Sequence, residues 1–325
     1  MKSLIVLLIC IVLAIINYGI SEANVYVANT SANTVSVIDD LNNTVIATID
    51  VGSSPLGVAV NPDSKMVYVA NKGDNTVSVI DSKTNALVAT VPVGKSPWYI
   101  SIDSANKRAY VNSSGDNLVT VIDTASNAVA GQVQTTGEGK GATKGAFNVA
   151  VHPGIKRAYV ANCLTTNLSV VDTKTNNMIG MIGVGHDPLG VAVDTAAGII
   201  YVANNTDNTV AVINTVNNSE ITTMPVGKSP WYVAVNPAIK KAYVTNRGDN
   251  TVSVINTEKY TLEAVIKVGA EPLAVAFVKN RAYVTNCAGN SISVIDTGNN
   301  IVIDTIILPG VKPGRGLCPW GIAGF

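Results

Sequence analysis

The sequence predicts an all-β fold, a seven-bladed β-propeller of four-stranded antiparallel blades, and three observations carry the prediction. A Tyr-Val-Ala-Asn-like segment returns seven times, beginning at Tyr26, Tyr68, Tyr110, Tyr159, Tyr201, Tyr243 and Tyr283, at spacings of 42, 42, 49, 42, 42 and 40 residues. Each interval holds four short runs rich in Val, Ile, Thr and Tyr between Gly, Asn, Asp and Pro turn signals, with no helical periodicity. The two ends are complementary halves: residues 25–29 read as a second strand with no first strand before it, and residues 319–323 as a first strand with nothing after it. The C-terminal strand is therefore expected to complete the first blade and close the ring.

The second unit shows how each element arises. Residues 55–60, Pro-Leu-Gly-Val-Ala-Val, form a short apolar strand, and Asn61-Pro62-Asp63 is a turn that Pro and Asx side chains favour. Residues 67–71 are the second strand, and Lys72-Gly73-Asp74-Asn75 is a tight antiparallel connection. The third strand, residues 76–80, is β-branched. Asp81 then bonds backbone groups ahead of it, and Asn85 tolerates a left-handed conformation. Residues 88–93 are the fourth strand, and Gly94-Lys95-Ser96 links to the next Pro. A sheet apolar on both faces is stable only between two like sheets, where small Ala70 beside large Tyr68 suits a tapering space. Two links, residues 134–145 and 309–318, run seven residues longer than their counterparts and belong to one face of the disc.

Composition narrows the partners. Lys plus Arg equals Asp plus Glu at 22 each, and only 14% of residues are charged, so no net field invites nucleic acid or an anionic membrane. Residues 1–23 read as a signal peptide: Lys2, an apolar run over residues 4–16, then Ser21-Glu22-Ala23. Cleavage after Ala23 leaves residues 24–325 as the propeller, which is then not an integral membrane protein and is extracellular or held at the cell surface. Three cysteines remain, Cys163, Cys287 and Cys318. Cys318 precedes the closing first strand and Cys287 follows the second strand of the neighbouring blade, so these two are expected to form a disulfide; Cys163 lies three blades away. Six Asn-x-Ser/Thr sequons, at Asn29, Asn42, Asn112, Asn167, Asn204 and Asn217, are a weak signal in so Asn-rich a chain.

The Tyr-Val-Ala/Thr-Asn segment, the Gly-Asp-Asn-Thr-Val-Ser-Val-Ile-Asn-Thr run at residues 248–257 and the Val-Gly-x-x-Pro link at residues 226–230 resemble the YVTN-family β-propeller repeat. The resemblance covers essentially the whole mature chain. It implies a seven-bladed ring, an extracellular location and an adhesive or scaffolding role among archaeal and bacterial surface-layer and cell-surface proteins. Val111-Asn112-Ser113 in the third unit and Cys163-Leu164-Thr165-Thr166 in the fourth depart from the pattern without removing an alternating strand residue.

Catalysis needs grouped titratable side chains, and the sequence groups few. His152 and His186 fall in opposite kinds of loop, so they do not pair or share a metal. Asp74, Asp116, Asp207 and Asp249 recur at one loop position, where a turn residue bonding its own backbone explains them better than a calcium ring. Arg247-Gly248-Asp249 matches an adhesion tripeptide, but Lys72-Gly73-Asp74 shows that the repeat itself generates it. Three tryptophans, Trp98, Trp231 and Trp320, share the position after the link Pro, where the other units carry Leu56, Phe147, Leu189 and Leu273. Apolar packing at the channel mouth accounts for that row; the functional reading has the tryptophans, with Lys95 and Lys228, lining a funnel that stacks on a glycan or peptide. These observations give the expectation of a non-enzymatic exported module for recognition, adhesion or surface structure, with cell-surface proteins or glycans as partners and no catalytic residue, metal or cofactor. The alternative is a propeller enzyme, lactonase-, lyase- or oxidoreductase-like, with its site at the channel mouth.

Overall fold

The tetrapeptide repeat is explained by what each of its residues buries. In the computed structural model, which describes residues 23–135, 145–309 and 317–325, the strands sort into seven antiparallel sheets of four. In the second strand of blade two, Met66–Asn71, Val67, Tyr68, Val69 and Ala70 are all at 0% exposure. Both strand faces are covered because each blade lies between two others, and burial of each such valine contributes about 1.5–3 kcal/mol. The outermost strand, Ala86–Pro92, is exposed except at part-buried Ala89 and buried Val91, as a sheet edge facing solvent is.

The Asn of the repeat is a pin inside the blade. Asn71 is wholly buried, and its Nδ2 donates to Thr76 Oγ1 at 3.0 Å and Ser78 Oγ at 2.9 Å on the third strand. Asn246 and Asn286 bond the same way to Thr251 and Ser253 and to Ser291 and Ser293. The lower turns follow the expected Asx chemistry: Asp81 Oδ1 accepts from the Lys83 N–H at 2.8 Å, and Asn85 has φ 55°.

The Asp74 row differs from expectation. These carboxylates bond not their own turn but the link that enters the blade: Asp116 Oδ2 accepts from the Lys95 N–H at 2.9 Å, Asp207 from His186 at 2.7 Å and Asp249 from Lys228 at 2.6 Å. The link approaches closely enough to compete for the acceptor, which a local turn reading does not anticipate.

The ring closes with the strand Pro319–Gly324 joining the sheet of Asn24–Asn29, with Val25 opposite Gly324 and Val27 opposite Ile322. Around that seam Lys279 pairs with the nearly buried Asp40 at 2.7 Å, and Arg281 donates to the Asp40 carbonyl. On the lower face each repeat tyrosine reaches forward to the outer turn of the next blade. Tyr68 Oη donates to Asn127 at 3.0 Å, Tyr243 to Asn300 at 2.9 Å, and Tyr283, across the seam, to Asn43 at 3.3 Å. The Tyr–Asn relay lapses at three units. Ahead of Tyr110, which lies by Thr173, the Asn176 Oδ1 is buried without a hydrogen-bond partner. Tyr159 Oη and Asn218 Oδ1, which stand where that bond would form, are both buried without a hydrogen-bond partner. Tyr201 meets Tyr260 in place of the turn Asn and lies near Thr257 without closing a bond. The signal segment lies outside the described residues, as does most of each long link. No helix among the described residues is long and apolar enough to cross a membrane.

Candidate functional site

Six of the links turn into their blades through one residue in a left-handed conformation: Ser54, Ser96, Asp187, Ser229, Glu271 and Cys318 have φ between 45° and 56°. Beside each stands the residue that follows the buried Asn of the second strand. The N–H of Lys72 donates to the Ser54 carbonyl at 3.1 Å, Asn205 to Asp187 at 3.0 Å, Arg247 to Ser229 at 3.0 Å and Cys287 to Glu271 at 3.0 Å. The side chains of these second residues reach the next blade. Arg247 pairs with Glu271 at 3.1 Å, Cys287 is disulfide-bonded to Cys318, and the Cys163 thiol interacts with Asp187. The upper rim is thus a ring of inter-blade latches at fixed places and with varied chemistry.

Inside the rim the row after the link Pro converges. The structure brings the three tryptophans together with Phe147: ring centroids are 5.5 Å apart for Trp98 and Trp320, 5.8 Å for Trp231 and Trp320, 4.7 Å for Trp98 and Phe147, and 5.3 Å for Phe147 and Trp231. Beneath them Tyr99 and Tyr232 stack at 5.3 Å and plug the channel. Burial pushes the Tyr232 hydroxyl up to about 12 and Tyr99 higher still, so both stay protonated. Room for this plug is tight. A Cβ on Gly321, on the closing strand, would sit 2.1 Å from the Leu56 carbonyl oxygen, so only glycine lets the innermost strands meet there.

Lys95 and Lys228 stand elsewhere. Both are exposed, and Asp116 and Asp249 clamp their main-chain N–H groups. The cations over the indoles are Lys72, 4.4 Å from the centroid of Trp98, and Arg247, 5.1 Å from that of Trp231. Burial lowers the Lys72 pKa. Arg247 and Asp249 of the adhesion-like tripeptide are engaged at Trp231 and Lys228 respectively. His152 ends the innermost strand of blade four, is buried, and has its pKa lowered by that burial. His186 is on the upper rim with Nδ1 at 3.0 Å from Asp207.

Between blades three and six the rim leaves a cavity of about 200 Å³, walled by Trp98, Phe147, Leu189 and Trp231, with Cys163 and Asp187 at its edge. Asp187 is its one acidic side chain, fixed by the Leu164 N–H at 2.7 Å. Burial first, and the Asp187 carboxylate second, push the Cys163 thiol up to about 12, so it is a protonated donor. Among the described residues no three His, Cys, Asp or Glu side chains gather to hold a metal ion.

No family model matches the chain. Over 39 residues, 12% of this chain and 8% of the other, it is 56% identical to PE-PGRS family protein PE_PGRS18 of Mycobacterium tuberculosis (strain ATCC 25618 / H37Rv), so it spans a small part of that relative. Among solved structures it is similar to Kuenenia stuttgartiensis hydrazine synthase, with TM-score 0.73 and 22% identity over 84% of this chain and 92% of that one. It is also similar to the dihydro-heme d1 dehydrogenase NirN in complex with DHE, with TM-score 0.66 and 15% identity over 90% of this chain and 64% of that one. A functionally unknown protein from Desulfotomaculum acetoxidans DSM 771 gives TM-score 0.77 and 14% identity over 93% and 98%. At these identities the likeness is one of fold, the seven-bladed propeller.

The comparisons correct the expectation of a non-enzymatic recognition, adhesion or surface-structure module. Two of the similar rings, hydrazine synthase and the NirN dehydrogenase, are named as enzymes, so this fold is not one confined to recognition or surface structure. The rim's chemistry comes from the residue after the repeat Asn and the residue before the link Pro: Lys72, Cys163, Arg247 and Asp187. Aligning the seven units and asking which columns vary most would have exposed both positions.

Proposed function

We propose that the chain is the propeller of an exported enzyme, of the lyase, lactonase or oxidoreductase kind, built on a YVTN-type repeat and taking its substrate at the upper mouth. The observation that carries this is a cavity with apolar walls and a single carboxylate, Asp187, set at the rim positions where the repeat varies. Its volume of about 200 Å³ is below the roughly 300–1,000 Å³ of drug-sized ligand sites, so the substrate is small. In this reading Asp187 exchanges a proton with the substrate, and Trp98 and Trp231 hold it against the carboxylate. The test is a turnover screen with small lactones and small amines, the latter with a dye as electron acceptor. Asp187→Asn is expected to lower turnover by about 10²–10⁴-fold with the melting temperature kept. Full turnover in both Asp187→Asn and Trp231→Leu would sink the assignment.

A further inference from the structure

We propose that the cavity between Trp98, Phe147 and Trp231 binds a small organic cation, an amine or ammonium, with Asp187 as its counter-charge. This rests on the reading of the mouth as the substrate site and names the class of molecule that fits it. Three aromatic rings face the cavity at mutual tilts of 40° and 84°, so they present differently oriented π-faces to one space. Such faces attract cations through the ring quadrupole. Two of the rings already do so on the rim side, where Lys72 stands over Trp98 and Arg247 over Trp231.

Aromatic faces alone do not compensate a charge taken out of water; a paired carboxylate does. Asp187 supplies it, since one oxygen accepts the Leu164 N–H and the group lines the cavity. An anion meets that carboxylate unfavourably. A neutral guest gains the walls but no charge pairing with Asp187.

The test uses the full chain and three probes: choline, tetramethylammonium, and 3,3-dimethylbutan-1-ol, which replaces the ammonium nitrogen of choline by carbon. Binding is read by calorimetry and tryptophan fluorescence. Choline and tetramethylammonium are expected to saturate the site, with choline about tenfold or more tighter than the alcohol. Asp187→Asn, which keeps an oxygen for the Leu164 N–H, should abolish that preference. Trp231→Leu should weaken all three probes, and Trp231→Phe, which keeps a ring, should restore most of the affinity. Equal affinity for choline and the alcohol overturns the cation assignment while leaving the mouth as a binding site. Absence of binding by every probe overturns the assignment; if turnover also survives Trp231→Leu, the mouth is not the substrate site at all.

Discussion

Two latches of the upper rim occupy equivalent places in the repeat and use different chemistry. Cys287 and Cys318 join blade seven to blade one covalently, whereas Cys163 and Asp187 meet across blades four and five as a thiol and a carboxylate. The lower face repeats the contrast. The closing seam has Tyr283 on Asn43 and Lys279 on Asp40, while Tyr159 and Asn218 leave their bond unmade. The scaffold therefore fixes where neighbouring blades meet, and the residues chosen there decide whether the meeting is a staple or a site. The cavity lies in the sector that is less firmly tied.

The comparison is broken most severely by removing residues 319–325. That deletion strips the second strand of blade one of its partner and is expected to cost more than about 5 kcal/mol, a large share of the roughly 5–15 kcal/mol that holds folded proteins together. An unchanged thermal melt would mean the ring does not depend on its closing strand. Replacing Cys287 and Cys318 by Ser is expected to cost about 2–4 kcal/mol, read as a lowered urea midpoint that reductant no longer shifts. A midpoint equal to that of the oxidised parent would assign the seam to Lys279 and Tyr283 alone.

The equivalence of the two latches is sharpened by Asp187→Cys. A second disulfide with Cys163 is expected, visible as an intact mass two hydrogens lighter and a gain of up to about 3 kcal/mol for a loop of this length. Persistence of both thiols after air oxidation would show that the two places differ in geometry. The smallest effect concerns thiol reactivity. With its pKa up to about 12, Cys163 is almost wholly protonated at mildly alkaline pH and should react slowly with a disulfide reagent. Asp187→Asn removes the second cause of that rise but not burial, so labelling should quicken by a few-fold; an unchanged rate would separate the thiol from the carboxylate.

The ring was legible in the sequence because its period, its strand pattern and its orphan half-blades are all set by local chemistry. Tyr68 has to be buried and Asn85 has to take a left-handed turn wherever the unit sits. The tryptophan row was legible for the same reason: one column after the link Pro is apolar in every unit. The cations were not. Lys95 and Lys228 sit next to Trp98 and Trp231 in sequence, but Asp116 and Asp249 seize their backbone N–H groups and turn the side chains outward. Lys72 reaches Trp98 from the preceding blade, and Arg247 reaches Trp231 from the paired strand of its own blade, so both contacts join residues that are distant in sequence. Asp187 was hidden likewise, because it stands in a column that also holds Ser, Gly, Glu and Cys and meets the cavity only once the blades pack.

The tyrosine relay gives the ring a direction. Each hydroxyl that bonds reaches the turn ahead, tying a blade to its successor, and the gaps at Tyr110, Tyr159 and Tyr201 fall together in blades three to five. Local opening should therefore begin in that sector, where the turns are least tied. Most of the cavity's wall comes from the same blades, so the ring is loosest beneath the place where a guest would sit.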